Sequence, residues 1–270
     1  MKAFSPATPA SAAASALVPR YRGYTADMAL RIYRPRAASS AVVVLFHAGG
    51  FVGGSLDAIA SLAAAMAVRL DVTVATPAYT LASERPFPAA AEDAYAAITW
   101  AAVNARRARW DARRLVVAGV EAGGNLAAVA AMMARDRGGP ALAAQVLIAP
   151  MLDPTLTSPS MQHIAADASR SQRECNASYG AYLPNAAERL HPYAAPSSCS
   201  RVTGLAPALI LTAEDDPLRD EAEAYGAKLI ANGVTAQVTR LPRIEAPVGT
   251  WSDEAWMALV TFLGPRVTAA

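Results

Sequence analysis

The chain has 270 residues, 54% of them hydrophobic and 17% charged, with a formal net charge of +2. That length and apolar content suit one large domain with a sizeable core, and the near-neutral charge argues against an electrostatic nucleic-acid binder. No stretch resembles a membrane-spanning helix, and two isolated cysteines, Cys175 and Cys199, fit a reduced, cytoplasmic protein better than a disulfide scaffold.

Residues 1–20 are rich in Ala, Ser and Pro and read as a flexible leader, with Pro6 and Pro9 interrupting what would be the apolar stretch of a signal peptide. From there to residue 270 strand and helix patterns alternate. Met28–Tyr33 alternates as a strand; Ala41–Phe46 is a β-branched apolar run, the mark of a buried one. Leu56–Leu70 has helical spacing, Val72–Ala75 is a short strand, and Ala89–Asn104 is a second helix. The arginines Arg106, Arg107, Arg109, Arg113 and Arg114 then read as a solvated helix end and loop. Leu115–Val120 is a buried strand leading into a helix from Ala122 to about Arg135, followed by strand Ala144–Ile148. Residues 151–205 break the rhythm and are too long for an ordinary connection, so they read as a cap-like insertion. Regularity returns with strand Ala208–Thr212, helix Pro217–Ala231, strand Ala236–Leu241 and helix Trp251–Leu263. Repeated β-α units predict an α/β fold: one domain over 21–270, with a mainly parallel sheet flanked by helices on both faces.

Three segments carry chemistry. His47-Ala48-Gly49-Gly50-Phe51 follows a strand directly, where glycines let backbone N–H groups point into open space and hold a developing oxyanion. Gly119-Val120-Glu121-Ala122-Gly123-Gly124-Asn125 lies between a buried strand and an apolar helix, the setting of a nucleophile elbow, with Glu121 as its central side chain. Asp216, ahead of Pro217, also suits the start of a helix, where its carboxylate serves only as a cap.

Together these motifs resemble the hormone-sensitive-lipase branch of bacterial carboxylesterases. HAGGF stands for that branch's HGGGF, Tyr79–Glu84 followed by Phe87–Ala90 for YRLAPE and FPAA, GVEAGGN for GDSAGGN, and Asp216–Glu221 for DPLRDE. The resemblance runs in order from about residue 27 to the C-terminus. It implies the α/β-hydrolase fold, an oxyanion hole from the N–H groups of Gly49, Gly50 and Ala122, a structural His47 shaping the glycine loop, and bracing roles for Tyr79, Glu84 and Asp93. It implies no metal or organic cofactor, a small-molecule ligand with a carbonyl or carboxyl group, and a homodimer.

The departures concern the triad. Glu121 stands where the family has its nucleophilic serine, Asp216 matches the acid, and Ala246 falls at the histidine position, with no histidine after His191. Serine hydrolysis needs a hydroxyl, a base and an orienting acid, so the resemblance implies an esterase relative without the serine route. Three readings stay open. Glu121 and Asp216 share one cavity as an acid–base pair for lyase, isomerase or cyclase chemistry; or Glu121 folds back into its own oxyanion hole and leaves a binding or regulatory module; or Glu121 is a carboxylate nucleophile.

Overall fold

A computed structural model describes residues 14–35, 41–163, 172–244 and 251–267, with side chains from residue 20 onward. In chain order the elements are β1 (Ala14–Arg22), β2 (Asp27–Arg34), β3 (Val42–Phe46), α1 (Ala60–Arg69), β4 (Thr73–Pro77), α2 (Ala89–Val103), α3 (Ala105–Ala108), β5 (Leu115–Val120) and α4 (Ala122–Asp136). They continue with β6 (Ala144–Ile148), α5 (Pro159–His163), α6 (Gln172–Tyr182), β7 (Ala208–Ala213), α7 (Arg219–Ala231), β8 (Ala236–Leu241) and α8 (Asp253–Val267).

One eight-stranded sheet runs in the order β1-β2-β4-β3-β5-β6-β7-β8. β1, β2 and β4 pair antiparallel, and every pairing from β4 to β8 is parallel. The central strands β3, β5, β6 and β7 are buried at every position, as their β-branched runs require of strands covered on both faces. Successive side chains point to opposite faces. Val42, Val44 and Phe46 therefore join one core cluster with helices α2, α4 and α7, while Val43 and Leu45 join a second with α1 and α8. Helix α4 is buried from Ala122 to Ala134; small alanine side chains let it lie close against both the sheet and α2.

The sequence reading and the structure differ at the ends of several elements, helix α8 among them, which runs Asp253–Val267 rather than Trp251–Leu263. Strand β1 begins inside the stretch read as a leader: residues 14–22 pair along β2, with the register shifting between Val18 and Tyr21, and that irregularity removes the alternation a sequence pattern needs. Residues 1–13 lie outside the described residues. Helix α1 starts at Ala60 rather than Leu56, because Ser55 Oγ accepts the Ala58 N–H at 3.2 Å and closes a turn first. Helix α7 starts at Arg219 rather than Pro217. The segment 151–205 contains α5, α6 and two short 3-10 turns. Cys175 and Cys199 are buried and not bridged to each other. Among the described residues no helix is long and apolar enough to cross a membrane.

Candidate active site

Parallel pairing of β3 with β5 places Phe46 opposite Gly119, so the loop after β3 and the turn after β5 leave the sheet side by side. The turn is tight because its flanking residues are glycines. A Cβ on Gly119 would lie 1.9 Å from the Gly123 carbonyl oxygen, and one on Gly123 would lie 2.4 Å from that of Phe46. Glu121 sits at the apex with φ 57 and ψ −114, a backbone conformation costing a non-glycine residue about 1–3 kcal/mol. Its backbone is held on both sides: its N–H donates to Ile148 O at 2.9 Å, and its carbonyl accepts from Asn125 N and Met151 N, both at 3.1 Å.

The Glu121 side chain is only 6% exposed. Its Oε2 accepts the Gly49 N–H at 3.1 Å. A Cβ built on Gly50, whose φ is +59, would lie 3.7 Å from Glu121 Oε1 and 2.3 Å from Ser178 Oγ, so this residue lies closely between the carboxylate and α6. Ala122, fully buried, is the first residue of α4. The structure thus brings Gly49, Gly50, Glu121 and Ala122 together.

His47 is a brace of the glycine loop. Its Nδ1–H donates to Ala48 O at 2.8 Å, its ring stacks on Tyr79 at 4.2 Å, and burial pushes its pKa below the usual value. Tyr79 is itself held by its hydroxyl, which donates to His47 O at 3.1 Å. Burial, then the charge of Glu121, raises the Tyr79 hydroxyl well above its ordinary range. Asp93, fully buried, accepts from Tyr24 N at 2.6 Å and Thr80 N at 2.8 Å. Glu84 is different: it is exposed, and its N–H closes a turn to Leu81 O at 2.9 Å.

Asp216 lies half-buried after β7, two strands from β5. Its Oδ1 accepts the Leu218 N–H at 2.8 Å and its carbonyl accepts from Arg219 N at 3.0 Å, which closes a turn ahead of α7; the N-cap of α7 is Leu218, without a side-chain cap bond, so Asp216 is not the helix cap its place before Pro217 suggested. Ala246 lies outside the described residues. The other two histidines stand elsewhere in the insertion: His163 Nδ1 bonds Pro159 O at 2.8 Å, and His191 packs on Phe87 with ring centroids 5.2 Å apart.

The sequence reading overlooked the wall opposite Glu121. Tyr182 stacks on Phe51 at 3.9 Å and meets Phe87 edge-on at 5.9 Å, and Tyr179 lies 5.9 Å from Phe51. Cys175, Tyr179 and Tyr182 are the buried stripe of α6, and their i, i+4, i+7 spacing was a usable signal. Glu221 was also overlooked. It is 4% exposed, its Oε1 accepts from Leu152 N at 2.6 Å and Asp153 N at 3.2 Å, and burial pushes its pKa up to about 8.

Residues 43–245 match the alpha/beta hydrolase fold family. The chain is 38% identical over 228 residues to the carboxylesterase NlhH of Mycobacterium tuberculosis, covering 82% of this chain and 71% of that one. It is 39% identical to the esterase LipI of the same organism, covering 80% and 69%. Among solved structures it is similar to the hyperthermophilic esterase of the archaeon Pyrobaculum calidifontis, with TM-score 0.86 and 34% identity over 94% of this chain and 85% of that one.

Proposed function

The chain belongs to the alpha/beta hydrolase fold family, with esterases as its relatives, and on that premise we propose that it is an esterase-like protein that has left the serine route and kept its fold as a binding module. In this reading Glu121 occupies the nucleophile position, Ala246 the histidine position and Asp216 the acid position. Glu121 offers no hydroxyl to attack an ester, and Ala246 offers no base to activate one.

The observation that carries the reading is the 3.1 Å hydrogen bond from the Gly49 N–H to Glu121 Oε2. An esterase uses such a donor for the oxyanion of the tetrahedral intermediate. Here a carboxylate of the chain already lies on it. This favours the self-filled hole over an acid–base pair, because Glu121 Oε2 is engaged with Gly49 and Asp216 Oδ1 with Leu218. A carboxylate ligand would meet the charge of Glu121 at the donors it needs, so the ligand reaching this end of the sheet is a neutral carbonyl compound.

Hydrolysis of short-chain p-nitrophenyl esters tests the reading. The parent gives background rates and the Glu121→Ser/Ala246→His variant gains turnover. In parallel, Glu121→Ala frees the hole, and butyrate then raises the Tm of that variant but not of the parent. Robust turnover by the parent, abolished in Glu121→Ala, would instead make Glu121 a nucleophile.

A further inference from the structure

Helix α2 has an inner face of buried alanines and Ile98, as a helix lying on a sheet should. Its outer face should then be polar. It is not. After Glu92 and Asp93, the helix carries no charged residue. Tyr95, Ala96, Thr99 and Trp100 stand half-exposed along the outer stripe, and Val103 at its end is 78% exposed. These residues line a cleft of about 450 Å³ whose opposite wall is the turn at Arg22, Gly23 and Tyr24.

Tyr24 is 52% exposed yet held in place, since its N–H donates to the buried Asp93 carboxylate at 2.6 Å. The cleft's own ion pair is satisfied internally: Arg137 bonds both Glu92 oxygens at 2.7 and 2.8 Å and lies over Tyr95. The charges around the rim are different. Beyond Val103 come Arg106, Arg107 and Arg109, all exposed, their guanidiniums without a hydrogen bond or ion pair among the described residues. At the other wall Arg22 is 74% exposed and meets Asp27 only at 3.5 Å.

We propose that this face of α2, with the arginines at its rim, is a docking surface for an anionic phospholipid bilayer. The apolar and aromatic stripe supplies side chains that partition into the headgroup region, and the unpaired guanidiniums supply attraction to acidic headgroups. A second copy of the chain fits less well, because pairing two such faces brings basic rims together at both ends. A nucleic acid would leave the exposed Val103 without a role. The surface is separate from the Glu121 turn, since Val103, Arg106, Arg107 and Arg109 come before the start of β5 and Glu121 follows its end. Docking by this face leaves the C-terminal ends of the strands clear.

Co-sedimentation of the full chain with vesicles tests the inference, using phosphatidylcholine alone and with roughly one third phosphatidylserine. The protein pellets with the acidic vesicles only, and added salt releases it. Replacing three surface arginines in R106Q/R107Q/R109Q lowers the partition coefficient roughly a hundredfold, and Val103→Glu lowers it at unchanged salt. All four positions are exposed, so an unchanged Tm confirms the fold of each variant. A parent that stays in the supernatant overturns the inference. So does a concentration-dependent dimer that Val103→Glu breaks, or an oligonucleotide retained by the parent and by Val103→Glu but not by the arginine variant.

Discussion

Glu121 can stand at its apex only because Gly119 and Gly123 allow strand and helix to touch. Gly119→Ala puts a Cβ 1.9 Å from a backbone oxygen, which neither a rotamer change nor a side-chain shift relieves. The expected cost is at least about 3 kcal/mol, read as a fall in Tm of roughly 6–12 °C. This part of the site was legible from sequence, since the small residues are demanded by the turn itself. Glu221 was not, because its burial comes from Leu152 and Asp153, which lie 69 and 68 positions away. Its carboxyl is raised to about 8 by burial, with the charges of Asp153 and Asp216 adding to the shift. The folded state therefore holds a proton at Glu221 that the unfolded chain releases near 4.5. Stability from this group is complete below about pH 4.5 and declines as pH rises through about 8, by up to a few kcal/mol. Urea titrations at pH 5 and pH 9 measure the difference. Glu221→Gln keeps an acceptor for Leu152 N and flattens the slope between those two values.

Among the elements, those with an unbroken pattern were read to the residue: β5, β6 and β8 lie where alternation or apolar runs placed them. β1 was hidden because its partner, not its own sequence, defines it, through seven register pairs with β2 interrupted by a shift. Helix α6 was hidden within a polar insertion, since eight of its eleven residues are not buried and only Cys175, Tyr179 and Tyr182 mark the inner stripe. That stripe holds the loop carrying Gly49 and Gly50 through Phe51. Tyr182→Ala removes the Phe51 stack and the Phe87 edge contact at once. The expected loss is about 3–5 kcal/mol, accompanied by faster amide exchange at Val52 and Gly53, whose N–H groups bond Gly49 O at 3.1 and 2.9 Å. Unchanged protection there would mean that the glycine loop is held by His47 and Tyr79 alone.

At the scale of the whole molecule, the order and direction of the central strands follow from repeated β-α units, and this was legible in the sequence. How the antiparallel edge joins that core was legible only in the bracing role the resemblance implied for Asp93, because the joint, a β2–β4 ladder and one buried carboxylate, acts across distant segments. Asp93 on α2 takes one N–H from the turn between β1 and β2 and one from the segment after β4. A Cβ on Gly23 would lie 2.5 Å from the same carboxylate, so the turn is pressed directly onto it. Asp93→Ala leaves two amides without their acceptor, at about 1–3 kcal/mol each, and both losses fall on the edge of the sheet. The edge should therefore open before the core. Native-state hydrogen exchange in Asp93→Ala should show β1 and β2 exchanging at a lower free energy than β5 and α4, by a wider gap than in the parent. The same change releases Tyr24 from the wall of the α2 cleft, so vesicle binding should weaken together with the edge. If β1 and β2 keep the stability of the core in this variant, the antiparallel edge is held by strand pairing and the Tyr21 hydroxyl bond to Ala78 O at 2.6 Å, and Tyr24 owes its position to the strands rather than to Asp93.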